Sequence, residues 1–177
     1  TYQAVSGAGQ KGLVDLESQE QKNLYFPYDI KLTCIPQIDQ FLDDGYTKEE
    51  HKMIDETKKI LHHDNIKISA PCVRVPVKNS HAVSIRVTLN QNYKLKDIIK
   101  ILQNEPSIFI LDDPKQQIYP VSTISNGTDL IYIGRIRRDK INDQALLMYV
   151  VSDNIRKGAA SNAIQIMKGM IDHGYFS

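Results

Sequence analysis

The sequence of 177 residues predicts an α+β fold in which helices cover one face of a mixed, mainly antiparallel sheet. Two observations lead to this prediction. Segments that alternate apolar and β-branched residues follow one another without strict strand–helix alternation, and several other segments carry apolar residues at helical spacing. The length suits one domain with a sizeable core, so a single domain is expected over residues 1–177.

The first third of the chain contains one clear helix. Residues 2–21 are rich in Ala, Gly and Ser and then in Gln and Glu, which predicts a closely packed helix or turn followed by a solvated tail. Residues 30–35 form a short extended run that Pro36 ends. Thr47 and Glu50 then form a T-x-x-E capping box. The apolar face of the helix that follows consists of Met53, Ile54, Thr57, Ile60 and Leu61.

The rest of the chain alternates strands and helices irregularly. Residues 66–77 and 81–89 read as two strands in an antiparallel pair, and residues 107–111, 130–136 and 146–151 as further strands. A second amphipathic helix contains Leu95, Ile98, Ile99 and Leu102. A last helix over residues 155–171 is expected to bury Ala159, Ala163, Ile166 or Met167, and Met170.

Composition excludes several classes of function. Charged residues make up 24% of the chain and the net charge is +1, so no electrostatic partner is implied. No apolar run is long enough to cross a bilayer and no leader is visible, which favours the cytoplasm and no membrane contact. Cys34 and Cys72 lack the spacing of a metal or redox site, so buried, reduced thiols and no metal are expected. The opening at Thr1 suggests a cut-down chain.

Residues 7–12 spell G-x-G-x-x-G, a pattern that can bind a dinucleotide at the start of a helix. Only six residues precede it, and no second strand with a terminal acid follows it. Chance or close packing is therefore the favoured interpretation of these glycines.

Three separated clusters carry chemistry. Arg74 lies in a strand of Val and Cys, and His81 follows just past the next turn. A buried guanidinium needs a carboxylate or phosphate, although a structural salt bridge and an exposed His explain the spacing as well. Glu49 and Lys52 share one face of the capped helix, where they form either a solvated ion pair or a site for an amine and an anion.

The third cluster lies at the start of the last helix. Residues 152–154 are polar and lead into a helix whose first turns contain the small residues Gly158, Ala159 and Ala160. Small residues at a helix N-terminus let a ligand approach closely. An ordinary N-cap is an equally good explanation.

Taken together, these clusters and the opening segment resemble aspartate-semialdehyde dehydrogenases over the whole chain. The most specific pieces are TYQAVSGAG at 1–9, IPQID at 35–39, CVRVPV at 72–77 with His81, GRIRRD at 134–139, and DNIRKGAA at 153–160. The resemblance implies a C-terminal domain like that of glyceraldehyde-phosphate dehydrogenase. It also implies a reversible, NADP-dependent reductive dephosphorylation of β-aspartyl phosphate to aspartate semialdehyde, a step toward lysine, threonine and methionine.

The same resemblance implies roles for six residues. Arg74 is expected to bind the substrate carboxylate, Glu49 its ammonium group, and Lys52 the phosphate. His81 is the expected general acid and base, and Gln3 is expected to orient the acyl group. Asn154 is expected near the nicotinamide carboxamide.

Two features of the family are missing from these residues. Its members carry a cysteine nucleophile in an Asn-x-x-Cys segment shortly before the TYQ motif, and a nucleotide-binding domain before that. Neither Cys34 nor Cys72 occupies the position of the nucleophile. The chain alone is therefore expected to turn over no substrate, and a homodimer is expected from the resemblance.

Other readings remain open. An acyl-phosphate reductase for another substrate, or glyceraldehyde-phosphate dehydrogenase, shares the architecture, but Glu49 favours a substrate with an ammonium group. A non-catalytic dimerisation or regulatory module predicts a scrambled polar set, which is not seen. Nucleic-acid binding through Arg135, Arg137 and Arg138 is disfavoured because alternate strand residues face opposite sides.

Overall fold

A computed structural model of the chain describes residues 1–19 and 24–175. These residues divide into two compact units, Thr1–Lys78 and Asn79–Ser177. The single domain over residues 1–177 stays a prediction. The end of the predicted tail at Gln21 lies outside the described residues.

The first unit combines two short strands with two helices. Strand β1 (Tyr2–Gln3) leads through a 3-10 turn (Val5–Ala8) into helix α1 (Gln10–Glu17), and helix α2 spans Lys48–Leu61. Strand β2 (Val73–Arg74) pairs with β1 in parallel, with Gln3 opposite Arg74. This pairing places Gln3 and Arg74 side by side.

Strand content in the first unit is lower than the sequence predicts. Residues 30–32 form a turn, and Ile35 makes only an isolated antiparallel bridge with Arg74. Residues 66–72 are not a strand, and β2 pairs in parallel with β1, so the predicted antiparallel pair is wrong. Alternation of apolar residues indicates which side chains face inward, but it does not identify the strand that supplies the hydrogen bonds.

The core of the first unit explains Gly12, one of the three glycines at residues 7–12. Val5 packs with Phe26, Ile30 and Ile35 in a buried cluster. A Cβ atom at Gly12 would lie 2.5 Å from the backbone oxygen of Val5, so only glycine lets helix α1 approach so closely. The close-packing interpretation is therefore confirmed for Gly12.

The second unit is built on a four-stranded mixed sheet. Its strands are β3 (His81–Thr88), β4 (Ile108–Ile110), β5 (Ile131–Arg138) and β6 (Ala145–Ser152), in the order β3-β6-β5-β4. Strand β6 is antiparallel to both β3 and β5, and β4 is parallel to β5. The predicted mixed, mainly antiparallel sheet is confirmed.

One face of this sheet is covered by helix α3 (Leu95–Gln103), as the spacing of its apolar residues predicts. Leu95, Ile99 and Leu102 pack against the buried side chains of Ile133 and Leu146. Burial of such side chains is the main contribution to stability at this interface, at about 25 cal/mol per Å² of apolar surface.

The last part of the chain is helical but not buried. A short helix α4 (Ser122–Ser125) precedes β5, and a π-helical turn (Arg156–Ala160) continues into helix α5 (Ser161–Asp172). The predicted burial is wrong: Ala159 and Ala163 are exposed, and Ile166, Met167 and Met170 are 57%, 52% and 37% exposed. The apolar spacing predicts a helix face correctly, but burial also needs a covering surface, which the described residues do not supply.

The two cysteines differ. Cys72 is buried, as predicted, whereas Cys34 is exposed because its segment forms no strand, and both thiols are free. Burial raises the pKa of the Cys72 thiol, which lowers the fraction of reactive thiolate. Across residues 1–19 and 24–175, every helix is too short or too polar to cross a membrane.

Candidate functional site

Arg74 is a buried cation in the first unit. It is only 5% exposed, and its Nη1 donates to the backbone oxygen of Ala4 at 2.7 Å. Its Nε is buried and has no hydrogen-bond partner among the described residues. Burial lowers the pKa of the Arg74 guanidinium, and the carboxylate charge of Glu49 acts in the opposite direction. Because an arginine stays protonated in proteins, this group fits an anionic ligand.

Glu49 lies on the first turn of α2, where three of the predicted site residues meet. Its Oε1 accepts a hydrogen bond from Gln3 Nε2 at 2.9 Å, although the two residues are 46 positions apart in sequence. Its Oε2 lies 3.6 Å from Lys52 Nζ. The Glu49 side chain is 17% exposed and that of Lys52 is 55% exposed, so the carboxylate is held in place while the lysine reaches into solvent.

The predicted capping box fixes where α2 begins. Thr47 Oγ1 accepts a hydrogen bond from the backbone N–H of Glu50 at 3.3 Å, and Glu50 Oε2 accepts one from the N–H of Thr47 at 2.8 Å. Such a cap stabilises a helix by about 1 kcal/mol. Because the first helical turn starts at Lys48, Glu49 points toward Gln3 from a well-defined position.

The first unit therefore holds a buried guanidinium and a fixed carboxylate whose charges interact. A guanidinium binds a carboxylate through a planar pair of hydrogen bonds, and a carboxylate binds an ammonium group. This arrangement suits a zwitterionic ligand, with Lys52 available for a second anion.

The second unit contains His81 and Asn154. His81 is half-buried at the start of β3, opposite Ser152 of β6. Ser80 precedes it with a φ of 78° and is 1% exposed. The backbone N–H of Ser80 donates to Asn154 Oδ1 at 2.9 Å, so the side chain of Asn154 supports the turn that leads into His81.

Asp153, which is 3% exposed, holds the turn that precedes the last helix. Its Oδ1 accepts from the backbone N–H groups of Ile155 at 2.8 Å and Arg156 at 3.0 Å. Its Oδ2 accepts from Gly127 N–H at 2.8 Å. These bonds fix the turn that leads into the π-helical turn, and the small residues that follow, Gly158, Ala159 and Ala160, are all exposed.

Sequence reasoning missed one long-range hydrogen bond of Glu50 and one of Asp153. Besides its role in the capping box, Glu50 accepts a hydrogen bond from the backbone N–H of Cys72 through Oε1 at 3.2 Å. Asp153 likewise binds Gly127 as well as its own helix. The pattern T-x-x-E predicts the local bonds, but no sequence signal points to a partner 22 residues away.

Comparison with known proteins gives one consistent result. Residues 1–157 match the family described as semialdehyde dehydrogenase, dimerisation domain. The chain is 43% identical to the aspartate-semialdehyde dehydrogenase of Aquifex aeolicus, with 98% of this chain and 54% of that protein aligned. The corresponding enzyme of Bacillus subtilis is 40% identical, with 96% of this chain and 54% of that protein aligned.

Solved structures agree with the sequence comparison. Aspartate semialdehyde dehydrogenase II of Vibrio cholerae, complexed with ASA, matches with a TM-score of 0.90 and 37% identity over 99% of this chain and 54% of that one. The aspartate semialdehyde dehydrogenase of Candida albicans with NADP matches with a TM-score of 0.64 and 25% identity over 84% of this chain and 47% of that one.

The fold and these matches define a dimerisation-type domain of the semialdehyde dehydrogenases. The chain belongs to that family, and the resemblance to aspartate-semialdehyde dehydrogenases is confirmed. It spans about half the length of the curated relatives that it matches.

Proposed function

We propose that this chain is the substrate-binding and dimerisation part of an NADP-dependent aspartate-semialdehyde dehydrogenase. The enzyme interconverts β-aspartyl phosphate and aspartate semialdehyde, a step of aspartate-family amino-acid biosynthesis in the cytoplasm. The observation that carries the proposal is the buried guanidinium of Arg74, whose Nε lacks a partner among the described residues while the charge of Glu49 acts on it. A charge pair of this kind suits the carboxylate and ammonium groups of an amino acid.

In this proposal, each of four residues of the first unit binds or orients a different group of the substrates. Arg74 binds the α-carboxylate, and Glu49 binds the α-ammonium group. Gln3 holds Glu49 through its amide nitrogen, and its amide can also orient the acyl group. Lys52, with more than half of its side chain exposed, is the cation that meets the incoming phosphate. Held in this way, the reacting carbon is presented in one orientation.

His81 moves protons in this proposal. An imidazole titrates near neutral pH, so it can take the proton of a thiol nucleophile and later a proton from the substrate. In the oxidative direction, aspartate semialdehyde, NADP⁺ and phosphate give β-aspartyl phosphate, NADPH and a proton. The thiol nucleophile and most of the NADP site belong to a nucleotide-binding half that precedes these residues.

Asn154 is the residue of this chain proposed to contact NADP, which accepts the hydride in the oxidative direction. Asn154 Oδ1 accepts from Ser80 N–H, which fixes the orientation of its side-chain amide just before the last helix. The exposed small residues after it leave room for a flat ring. These features fit a nicotinamide carboxamide.

The exposed apolar face of α5 suits contact with another part of the protein. Ile164, Met167 and Ile171 are 62%, 52% and 54% exposed, and large apolar patches on a folded protein mark interaction sites. Because the chain spans about half the length of its relatives, we propose that the nucleotide-binding half covers this face. The matching dimerisation family supports a homodimer as the assembled form.

A turnover measurement tests the proposal. We define the complete polypeptide as the product of the reading frame that encodes residues 1–177. The complete polypeptide is expected to reduce NADP⁺ with aspartate semialdehyde only when phosphate is present, whereas residues 1–177 alone are expected to give no turnover because the chain lacks a thiolate activated for attack. Normal turnover by residues 1–177 alone, or none by the complete polypeptide, would contradict the proposal.

A further inference from the structure

The carboxylate of Glu50 joins two separate elements of the first unit. Oε2 accepts from Thr47 N–H at 2.8 Å and completes the cap of α2. Oε1 accepts from Cys72 N–H at 3.2 Å, immediately before β2. A capping box needs only the first of these bonds, so the second has another consequence.

The bond to Cys72 connects the two elements that carry the proposed substrate ligands. Glu49 is the neighbour of Glu50 on α2, and Arg74 lies two residues beyond Cys72 in β2. Cys72 is 2% exposed, and its segment is also held by Thr1, whose Oγ1 donates to Cys72 Sγ at 3.2 Å. Of these bonds, only the one that Cys72 N–H donates to Glu50 reaches α2.

We propose that Glu50 is a positioning residue that holds Glu49 and Arg74 at the separation an amino-acid substrate requires. This inference rests on the proposed function, and it adds a residue that contacts no substrate itself. A carboxylate is suited to the task because its two oxygens can each accept a hydrogen bond, whereas an amide has a single acceptor. A charged acceptor also makes stronger bonds to backbone N–H groups than a neutral one.

The positioning role can be separated from helix capping, because Thr47→Ala and Glu50→Ala remove different hydrogen bonds. In Thr47→Ala, the hydrogen bond from Glu50 N–H to Oγ1 is lost, while both bonds accepted by the Glu50 carboxylate can persist. In Glu50→Ala, the carboxylate's bonds from Thr47 N–H and from Cys72 N–H are both lost, whereas the bond from the backbone N–H of residue 50 to Thr47 Oγ1 can persist. Glu56→Ala, at an exposed position of the same helix, is the matched control for the loss of a negative charge.

Amide hydrogen exchange on the complete polypeptide tests the link itself. Glu50→Ala is expected to raise the exchange rate of the Cys72 amide by about tenfold or more, because a hydrogen bond to a charged group is removed. Thr47→Ala and Glu56→Ala are expected to leave that amide within about twofold of the wild type. An unchanged Cys72 amide in Glu50→Ala would overturn the proposal.

Steady-state kinetics of the complete polypeptide test the consequence. Glu50→Ala is expected to raise KM for aspartate semialdehyde about tenfold, with kcat and the KM for phosphate changed less than about twofold. Thr47→Ala is expected to leave all three values near the wild type, although it lowers the melting temperature. Glu50→Gln, a milder change, is expected to raise KM only if exchange shows that the Cys72 amide has lost its bond.

The outcomes separate this inference from the proposed function. An equal rise of KM in Thr47→Ala and Glu50→Ala would overturn the positioning role, because fraying of the helix would then explain both. A wild-type complete polypeptide without turnover would overturn the proposed function, and with it the substrate role of Glu50. In that case the exchange experiment still decides whether Glu50 ties α2 to β2.

Discussion

Replacement of His81 by asparagine is expected to lower kcat of the complete polypeptide by about 10²- to 10⁴-fold, the usual contribution of a positioned general acid or base. Asparagine keeps hydrogen-bonding capacity but cannot exchange a proton near neutral pH. Because His81 begins β3 and is half-buried, the substitution leaves the strand pairing with β6 in place. KM for aspartate semialdehyde is expected to change little, since Arg74 and Glu49, and not His81, are proposed to bind the amino-acid groups.

The control for this experiment is His63→Asn, which changes an exposed histidine that follows α2. It is expected to leave kcat unaltered. Steady-state rates of NADP⁺ reduction, measured across pH with saturating phosphate, supply both numbers. A His81→Asn enzyme that keeps the wild-type kcat would contradict the proposed role of His81 as general acid and base.

Replacement of Arg74 by lysine is expected to raise KM for aspartate semialdehyde by roughly a hundredfold. Lysine keeps the positive charge but lacks the planar fork that binds a carboxylate through two parallel bonds. At 5% exposure, the site also leaves little room for water to take over the missing contacts. The KM for phosphate is expected to stay near the wild-type value because Lys52, rather than Arg74, is assigned to that anion.

Arg137→Lys is the matched control, because Arg137 lies on an exposed stretch of β5 and its Nη1 donates to the backbone oxygen of Arg135 at 2.6 Å. Its kinetic constants are expected to match the wild type. Thermal unfolding of both variants shows whether the fold is intact. An intact Arg74→Lys protein with unchanged KM would show that the guanidinium serves the fold and not the substrate.

Elements with local sequence signals were predicted well. The capping box of Thr47 and Glu50 specifies its own hydrogen bonds within four residues, so the start of α2 follows from the sequence. The amphipathic spacing from Leu95 to Leu102 likewise gives α3 and the face that it buries. The alternating segments of the second unit gave β3, β5 and β6 for the same reason.

Features that depend on a distant partner were predicted poorly. The segment around Cys34 alternates like a strand but only bridges Arg74 at Ile35, so its thiol is exposed. Helix α5 has an apolar face, yet Ile164 and Met167 are exposed because burial depends on a surface outside the helix itself. The spacing of apolar residues predicts the type of one element, but not which other element pairs with it or covers it.

The candidate site shows the same division. Spacing alone placed Glu49 and Lys52 on one face of α2, and their ion pair is observed. The hydrogen bond from Gln3 to Glu49 joins residues 46 positions apart, and only the family resemblance suggested that they belong together. The link from Glu50 to Cys72 had no signal of either kind. The roles of the six predicted residues stay predictions.

The central claim is that Glu49 and Arg74 recognise a zwitterionic amino acid. Its most direct test compares kcat/KM of the complete polypeptide for aspartate semialdehyde and for succinate semialdehyde, which lacks the α-amino group, in the wild type and in Glu49→Gln. The wild type is expected to favour aspartate semialdehyde, and Glu49→Gln to reduce that preference by about tenfold or more, because the carboxylate proposed to bind the ammonium group is gone. An equal loss of activity on both aldehydes, with the preference unchanged, would contradict the claim.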